Sequence, residues 1–184
     1  LSTVSDYAIL GMAYFAGNLI VMNINGELFS INSGGVATAI WNLEIAGHRR
    51  AGLTTWGGTD YVTFEEFGGE LIIGNGKDKP LVVPSNLLVD YLADAGTGTN
   101  INVPVGKVMA QFALHLCIAD GSTLNVSERS AAGTWTGDPG VNFANTFDMK
   151  SYVVKGDTTI IALIPFKSYL LVMFKECIVP VQFK

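Results

Sequence analysis

One seven-residue pattern occurs four times along this chain, and that recurrence constrains its fold more than any other feature. Phe15-Ala16-Gly17-Asn18-Leu19-Ile20-Val21 has counterparts in Phe67-Gly68-Gly69-Glu70-Leu71-Ile72-Ile73, Phe112-Ala113-Leu114-His115-Leu116-Cys117-Ile118 and Phe166-Lys167-Ser168-Tyr169-Leu170-Leu171-Val172. In each copy a Phe is followed four residues later by a Leu and then by two more apolar residues. The repeat core is therefore Phe15 and Leu19, Phe67 and Leu71, Phe112 and Leu116, Phe166 and Leu170. The Phe positions are separated by 52, 45 and 54 residues, close to the length of about 40–50 that one four-stranded propeller blade requires.

Helical solenoids can have similar periods, but these segments are short, apolar and closely followed by turn residues. Each apolar run turns into a second strand-like run. Asn25-Gly26 leads to Leu28–Ile31, Gly74 to Pro80 forms a longer loop before Leu81–Val83, Asp120-Gly121 leads to Leu124–Val126, and Lys175-Glu176 leads to Ile178–Val181. Hairpins are thus expected near residues 12–31, 63–83, 109–127 and 160–182. The segments 36–45, 51–55, 151–154 and 158–163 are expected to supply further strands. Asn86 to Asp94 reads as a helical turn or two, or equally as a strand, and residues 96–100 as a loop. The 21 glycines suit many short strands joined by turns. The expected fold is all-β: a β-propeller or partial propeller of about four blades, spanning residues 1–184 as a single region.

Composition narrows the function classes. Hydrophobic residues make up 49% of the chain and charged residues 15%, values that fit long buried strands and surface covered by partners. The most apolar stretch, Thr159 to Val181, is interrupted by Pro165, Lys167, Lys175, Glu176 and Pro180, so no membrane span is expected. The formal net charge of −5 argues against a domain that grips nucleic acid through a basic face. Cys117 and Cys177 lie in apolar runs sixty residues apart and read as buried thiols rather than as a disulfide framework or metal site.

No catalytic constellation emerges. Glu65 and Glu66 are adjacent, so on a strand they point to opposite faces and cannot form a glycosidase pair alone. Asp90 and Asp94 would share a face only on a helix. His48, in the basic cluster Gly47-His48-Arg49-Arg50, has no triad or metal partner to nominate. His115 occupies the repeat position of Asn18, Glu70 and Tyr169, where an exposed or intersubunit setting is expected. The Asn75–Pro80 loop lacks the acidic series of a calcium loop, and Lys77 and Lys79 would repel a cation. Trp41, Trp56 and Trp135 suit blade packing or loop anchoring, with sugar stacking as the alternative. The expectation is a protein without enzymatic activity, cofactor or metal.

The stretch Gly69-Glu70-Leu71-Ile72-Ile73-Gly74-Asn75-Gly76-Lys77-Asp78-Lys79-Pro80-Leu81 resembles a motif of tail proteins from short-tailed bacteriophages. The later order is similar too. Trp135 stands in a Gly- and Asp-bearing loop, Gly156-Asp157 precedes Ile160–Leu163, and Phe166–Lys175 and Ile178–Val181 follow. The family is that of the tail tubular protein B, nozzle or tail stabilisation proteins. The resemblance covers about Gly52 to Phe183, and the first fifty residues share only the repeat. It marks Asn75, Gly76, Lys77, Asp78, Lys79 and Pro80 as the family-like motif. It implies a virion protein, made in the host bacterial cytoplasm and assembled as a ring of copies beneath an adaptor and beside other tail proteins. Double-stranded DNA would pass through that ring without sequence recognition. Leu1 and the greater length of family members predict that this chain is an excerpt of a longer protein. The alternative is a propeller that binds carbohydrate or a receptor.

Overall fold

A computed structural model describes residues 8–41, 62–92, 103–128, 145–153 and 155–183. These form four antiparallel sheets, each drawn from one contiguous part of the chain. Sheet 1 comprises β1 (Ile9–Phe15), β2 (Asn18–Asn23), β3 (Leu28–Ile31) and β4 (Ala37–Trp41). Sheet 2 comprises β5 (Thr63–Phe67), β6 (Glu70–Gly74), β7 (Leu81–Val83) and β8 (Asp90–Tyr91). Sheet 3 comprises β9 (Val108–Phe112), β10 (His115–Asp120), β11 (Thr123–Val126) and β12 (Asn145–Asp148). Sheet 4 has β13 (Ala162–Phe166), β14 (Tyr169–Met173) and β15 (Ile178–Val181). In every sheet the strands lie side by side in chain order.

The four-residue spacing of the repeat is the footprint of a hairpin turn. Phe15 pairs with Asn18, Phe67 with Glu70, Phe112 with His115 and Phe166 with Tyr169. The Phe thus ends the first strand of its sheet, two residues turn, and the Leu is the second residue of the next strand. In the first three copies both turn residues have positive φ: Ala16 and Gly17, Gly68 and Gly69, Ala113 and Leu114. Positive φ at both positions is what a type I′ turn demands, and it matches the right-handed twist of the flanking strands. Lys167 opens the fourth turn at φ 53°.

Strand alternation then sends the two repeat residues to opposite faces. Phe15 and Ile20 pack toward sheet 2, where Leu71 and Ile73 meet them. Phe67 and Ile72 face Leu116 and Ile118 of sheet 3. Phe112 and Cys117 face Leu170 and Val172 of sheet 4. At each of the three joints the Phe therefore faces the following sheet and the Leu the preceding one. The core is three successive layers between sheets.

Of the two readings of residues 86–94, the strand holds at Asp90–Tyr91, which pairs with Leu81–Val82; β-sheet pairing overrides a weak local apolar face there. Two expected strands need correction. The one at 158–163 begins only at Ala162. The strand expected at 151–154 is replaced over its first residues by a 3-10 turn, Met149–Tyr152, capped by the Asp148 carboxylate accepting from the Lys150 N–H. Among the described residues there is no α-helix, and no helix long and apolar enough to cross a membrane.

Candidate functional site: the joints between sheets

The first strands of successive sheets lie against one another, β1 on β5, β5 on β9 and β9 on β13. Sheets that radiate from an axis approach most closely at their inner strands. These strands carry two charged residues, Glu65 and Glu66, and no Lys or Arg. Glu65 Oε1 accepts the Gln111 N–H at 2.6 Å, fastening β5 to β9. Burial pushes the Glu65 carboxyl up from its ordinary range, the Gln111 N–H opposes that shift, and the Glu66 charge adds to it. Glu66 is exposed and pairs with Leu71 across the strands, whereas Glu65 pairs with Ile72, so the two carboxylates project from opposite faces.

Beside this joint stands the loop on which the family resemblance rests. Asn75 is almost fully buried. Its Oδ1 accepts the N–H groups of Lys77 and Asp78 at 2.8 Å, and its Nδ2 donates to Asp78 Oδ2 at 2.9 Å. Lys79 Nζ donates to the Val103 carbonyl, and Thr63 Oγ1 to the Lys107 carbonyl, tying sheet 2 to the segment that enters sheet 3. Burial lowers the Lys79 ammonium pKa, and the Asp120 carboxylate opposes that shift. Gly74 permits this approach: a methyl there would strike the Gly106 carbonyl. The side chains of Asn75, Asp78 and Lys79 are thus engaged in bracing the chain.

A related brace in sheet 1 went unread in the sequence. Asn23 Oδ1 accepts from the Asn25 and Glu27 N–H groups at 3.0 Å each, and Nδ2 donates to Glu27 Oε2 at 2.6 Å. Asn23, Asn75 and Asp120 all stand eight residues after a repeat Phe. That recurrence was the available signal.

His115 is half-buried, its Nδ1 2.7 Å from the Ser127 carbonyl oxygen and its ring edge-on to Phe183 at 5.4 Å. It packs within the joint of sheets 3 and 4. Trp41 is buried edge-on to Tyr91 at 5.4 Å, a packing role that leaves no face for a sugar. Cys117 is buried with its thiol pushed up to about 12, chiefly by burial and further by the Glu65 charge; Cys177 is partly exposed, and neither forms a disulfide. Among the described residues no cluster of three His, Cys, Asp or Glu could hold a metal ion. His48, Arg49, Arg50, Trp56, Asp94, Trp135 and the loop at 96–100 lie outside the described residues. A shallow groove between sheets 3 and 4 is lined by Gln111, Leu114, Lys167, Ser168, Gln182 and Phe183, among others.

Two repeat-core positions depart from expectation. Phe15, Phe67 and Phe112 are at most 7% exposed, but Phe166 is 54% exposed. Leu71, Leu116 and Leu170 are buried, whereas Leu19 is partly exposed. Phe166 has no following sheet to enter, and Leu19 no preceding one among the described residues.

No model of a known protein family and no curated protein matches the sequence. Solved structures do resemble the fold. The computationally designed Ika8 protein superposes with a TM-score of 0.57 at 12% identity, over 96% of this chain and 46% of that one. The designed Ika4 protein gives 0.56 at 12% identity, over 100% of this chain and 96% of that one. The Pan2 WD40 domain of Neurospora crassa gives 0.51 at 11% identity, over 94% of this chain and 46% of that one. WD40 domains are β-propellers. The chain is a partial β-propeller. It spans about half the length of Ika8 and of the WD40 domain, and its four sheets are consecutive blades.

Proposed function

We propose that this chain is a structural, non-catalytic component of a short-tailed phage tail, forming part of the wall through which DNA leaves. The carrying observation is the Asn75–Pro80 loop. The residues that resemble the nozzle family are here committed to a hydrogen-bonded brace at a blade joint, with Asn75 at its centre. A motif used this way supports an architectural role better than a chemical one. The inner strands support the same reading, because a wall without Lys or Arg makes few lasting contacts with phosphate.

The test is localisation in purified virions. Mass spectrometry should find the chain in the particle, and cryo-electron microscopy should place a ring of its blades around the tail axis. A chain missing from particles, or present only outside the tail, overturns the reading.

The groove beside Lys167 and Gln182 favours a second reading, a propeller that binds carbohydrate or a receptor. Its lining mixes polar Gln111, Lys167, Ser168 and Gln182 with apolar Leu114 and Phe183, a mixture that suits a sugar. Glycan-array binding that is lost in Gln182→Ala would support it, and an array without signal would remove it.

A further inference from the structure

Two asparagines of this chain precede a glycine, Asn25 and Asn75, and the fold holds them very differently. An Asn-Gly step is where a carboxamide is most open to attack by its own chain. Glycine has no side chain to shield its amide nitrogen, and its backbone turns freely. At Asn75 that attack is blocked. The residue is 4% exposed, its Oδ1 accepts the Lys77 and Asp78 N–H groups, and its Nδ2 donates to Asp78 Oδ2. Its carboxamide carbon cannot swing onto the Gly76 nitrogen without giving up those bonds.

Asn25 stands in the turn between β2 and β3 and is exposed. Its backbone N–H donates to Asn23 Oδ1 at 3.0 Å, and among the described residues nothing is hydrogen-bonded to its carboxamide. Gly26 follows at φ 75°, its N–H donating to the Asn23 carbonyl at 3.0 Å. That turn bond restrains the nucleophile, and bonds in exposed turns open at low cost.

We propose that Asn25 is a site of spontaneous deamidation and isoaspartate formation in the folded protein, with water as co-reactant, and that the fold protects Asn75. The Gly26 nitrogen loses its proton to hydroxide, and its electron pair attacks Asn25 Cγ. A nitrogen–carbon bond forms, the carboxamide carbon–nitrogen bond breaks, and ammonia leaves, closing a five-membered succinimide. Water then opens the ring at either carbonyl. Opening at Cγ gives an aspartate; opening at the backbone carbonyl gives an isoaspartate, whose main chain runs through Cβ and Cγ. The isoaspartate puts an extra methylene between Asn23 and Glu27, the residues whose mutual bonds make the brace of sheet 1. The inference goes beyond the phage-tail reading and does not depend on it.

The native protein should be aged at neutral pH and body temperature, with folding followed by circular dichroism. Peptide mapping by mass spectrometry should find the amide-to-acid mass gain at Asn25, and at Asn75 a rate slower by about tenfold or more. An isoaspartyl methyltransferase should transfer a labelled methyl group to the Asn25 peptide. In guanidinium, where the hydrogen bonds of Asn75 are gone, the two sites should react at similar rates. An Asn25 that keeps its amide in the native protein overturns the inference. So do equal native rates at the two sites. A difference that persists in guanidinium also overturns it, since flanking residues rather than the fold would then protect Asn75.

Discussion

The Glu65 carboxylate accepts the backbone N–H of Gln111 at 2.6 Å, so a residue of β5 is hydrogen-bonded to the inner strand of the next blade. This bond puts an ionisable group at the joint between blades 2 and 3. Because burial raises the folded pKa of Glu65 above its ordinary 4.5, the native state binds the proton more tightly than the unfolded chain. Stability contributed by the protonated form is present below pH 4.5 and is lost as the pH rises through the folded value. Glu65→Gln keeps an oxygen acceptor and removes the titration. Thermal melts should find this variant at least as stable as wild type at pH 7, with the difference disappearing below pH 4.5. A variant markedly less stable at pH 7 would show that the charge itself holds the joint.

Phe67 and Phe166 occupy the same repeat position with opposite fates. Phe67 fills the space between blades 2 and 3, so Phe67→Ala should cost about 3–5 kcal/mol from lost transfer energy and a residual cavity. Phe166→Ala, measured by urea unfolding under conditions where the chain is monomeric, should cost less than about 1 kcal/mol, in keeping with an exposed site. Equal losses would contradict the burial difference.

Asn75 satisfies two backbone N–H groups and the Asp78 carboxylate. Asn75→Ala leaves those donors without their acceptor, and a destabilisation of about 1–3 kcal/mol is expected by chemical denaturation. Hydrogen exchange should quicken first at Lys77 and Asp78. An unchanged exchange pattern would show that the loop does not depend on this side chain.

The turn of blade 3 is the one of the first three that carries no glycine. Ala113 and Leu114 both adopt positive φ, at 49° and 67°, which costs a side-chain-bearing residue roughly 1–2 kcal/mol. Leu114 is exposed and gives up little contact. Leu114→Gly should therefore raise the stability by about 1 kcal/mol, seen as a higher urea midpoint at unchanged slope. A lower midpoint would mean that Leu114 packs more than its exposure indicates.

The two cysteines should separate by reactivity. With its thiol pushed up to about 12, Cys117 carries thiolate at pH 8 in only about one molecule in ten thousand, and it is fully buried besides. A chromogenic disulfide reagent should label one thiol per native chain, Cys177, and the second only after unfolding. Rapid labelling of both in the native state would contradict the packing around Cys117.

The all-β class and the fourfold hairpin were legible in the sequence because both depend on local rules. A two-residue turn forces a four-residue spacing between Phe and Leu, and the pleat sends neighbouring side chains to opposite faces wherever the strand lies. The Asn75 brace was only half legible. Its residues marked a turn, but the Lys79 bond to the Val103 carbonyl crosses to a segment 24 residues away. The Glu65 to Gln111 bond spans 46 residues and leaves no local trace.

Phe15, Phe67, Phe112 and Phe166 are equivalent by sequence, each ending a first strand and each presented to one side of its sheet. Tertiary structure alone decided that three of them are core and the fourth is surface. Burial depends on whether another blade stands opposite, which is a property of the whole arc. The sequence by itself determined the hairpin and the direction in which each Phe points; the packing of one blade on the next decided what that Phe meets.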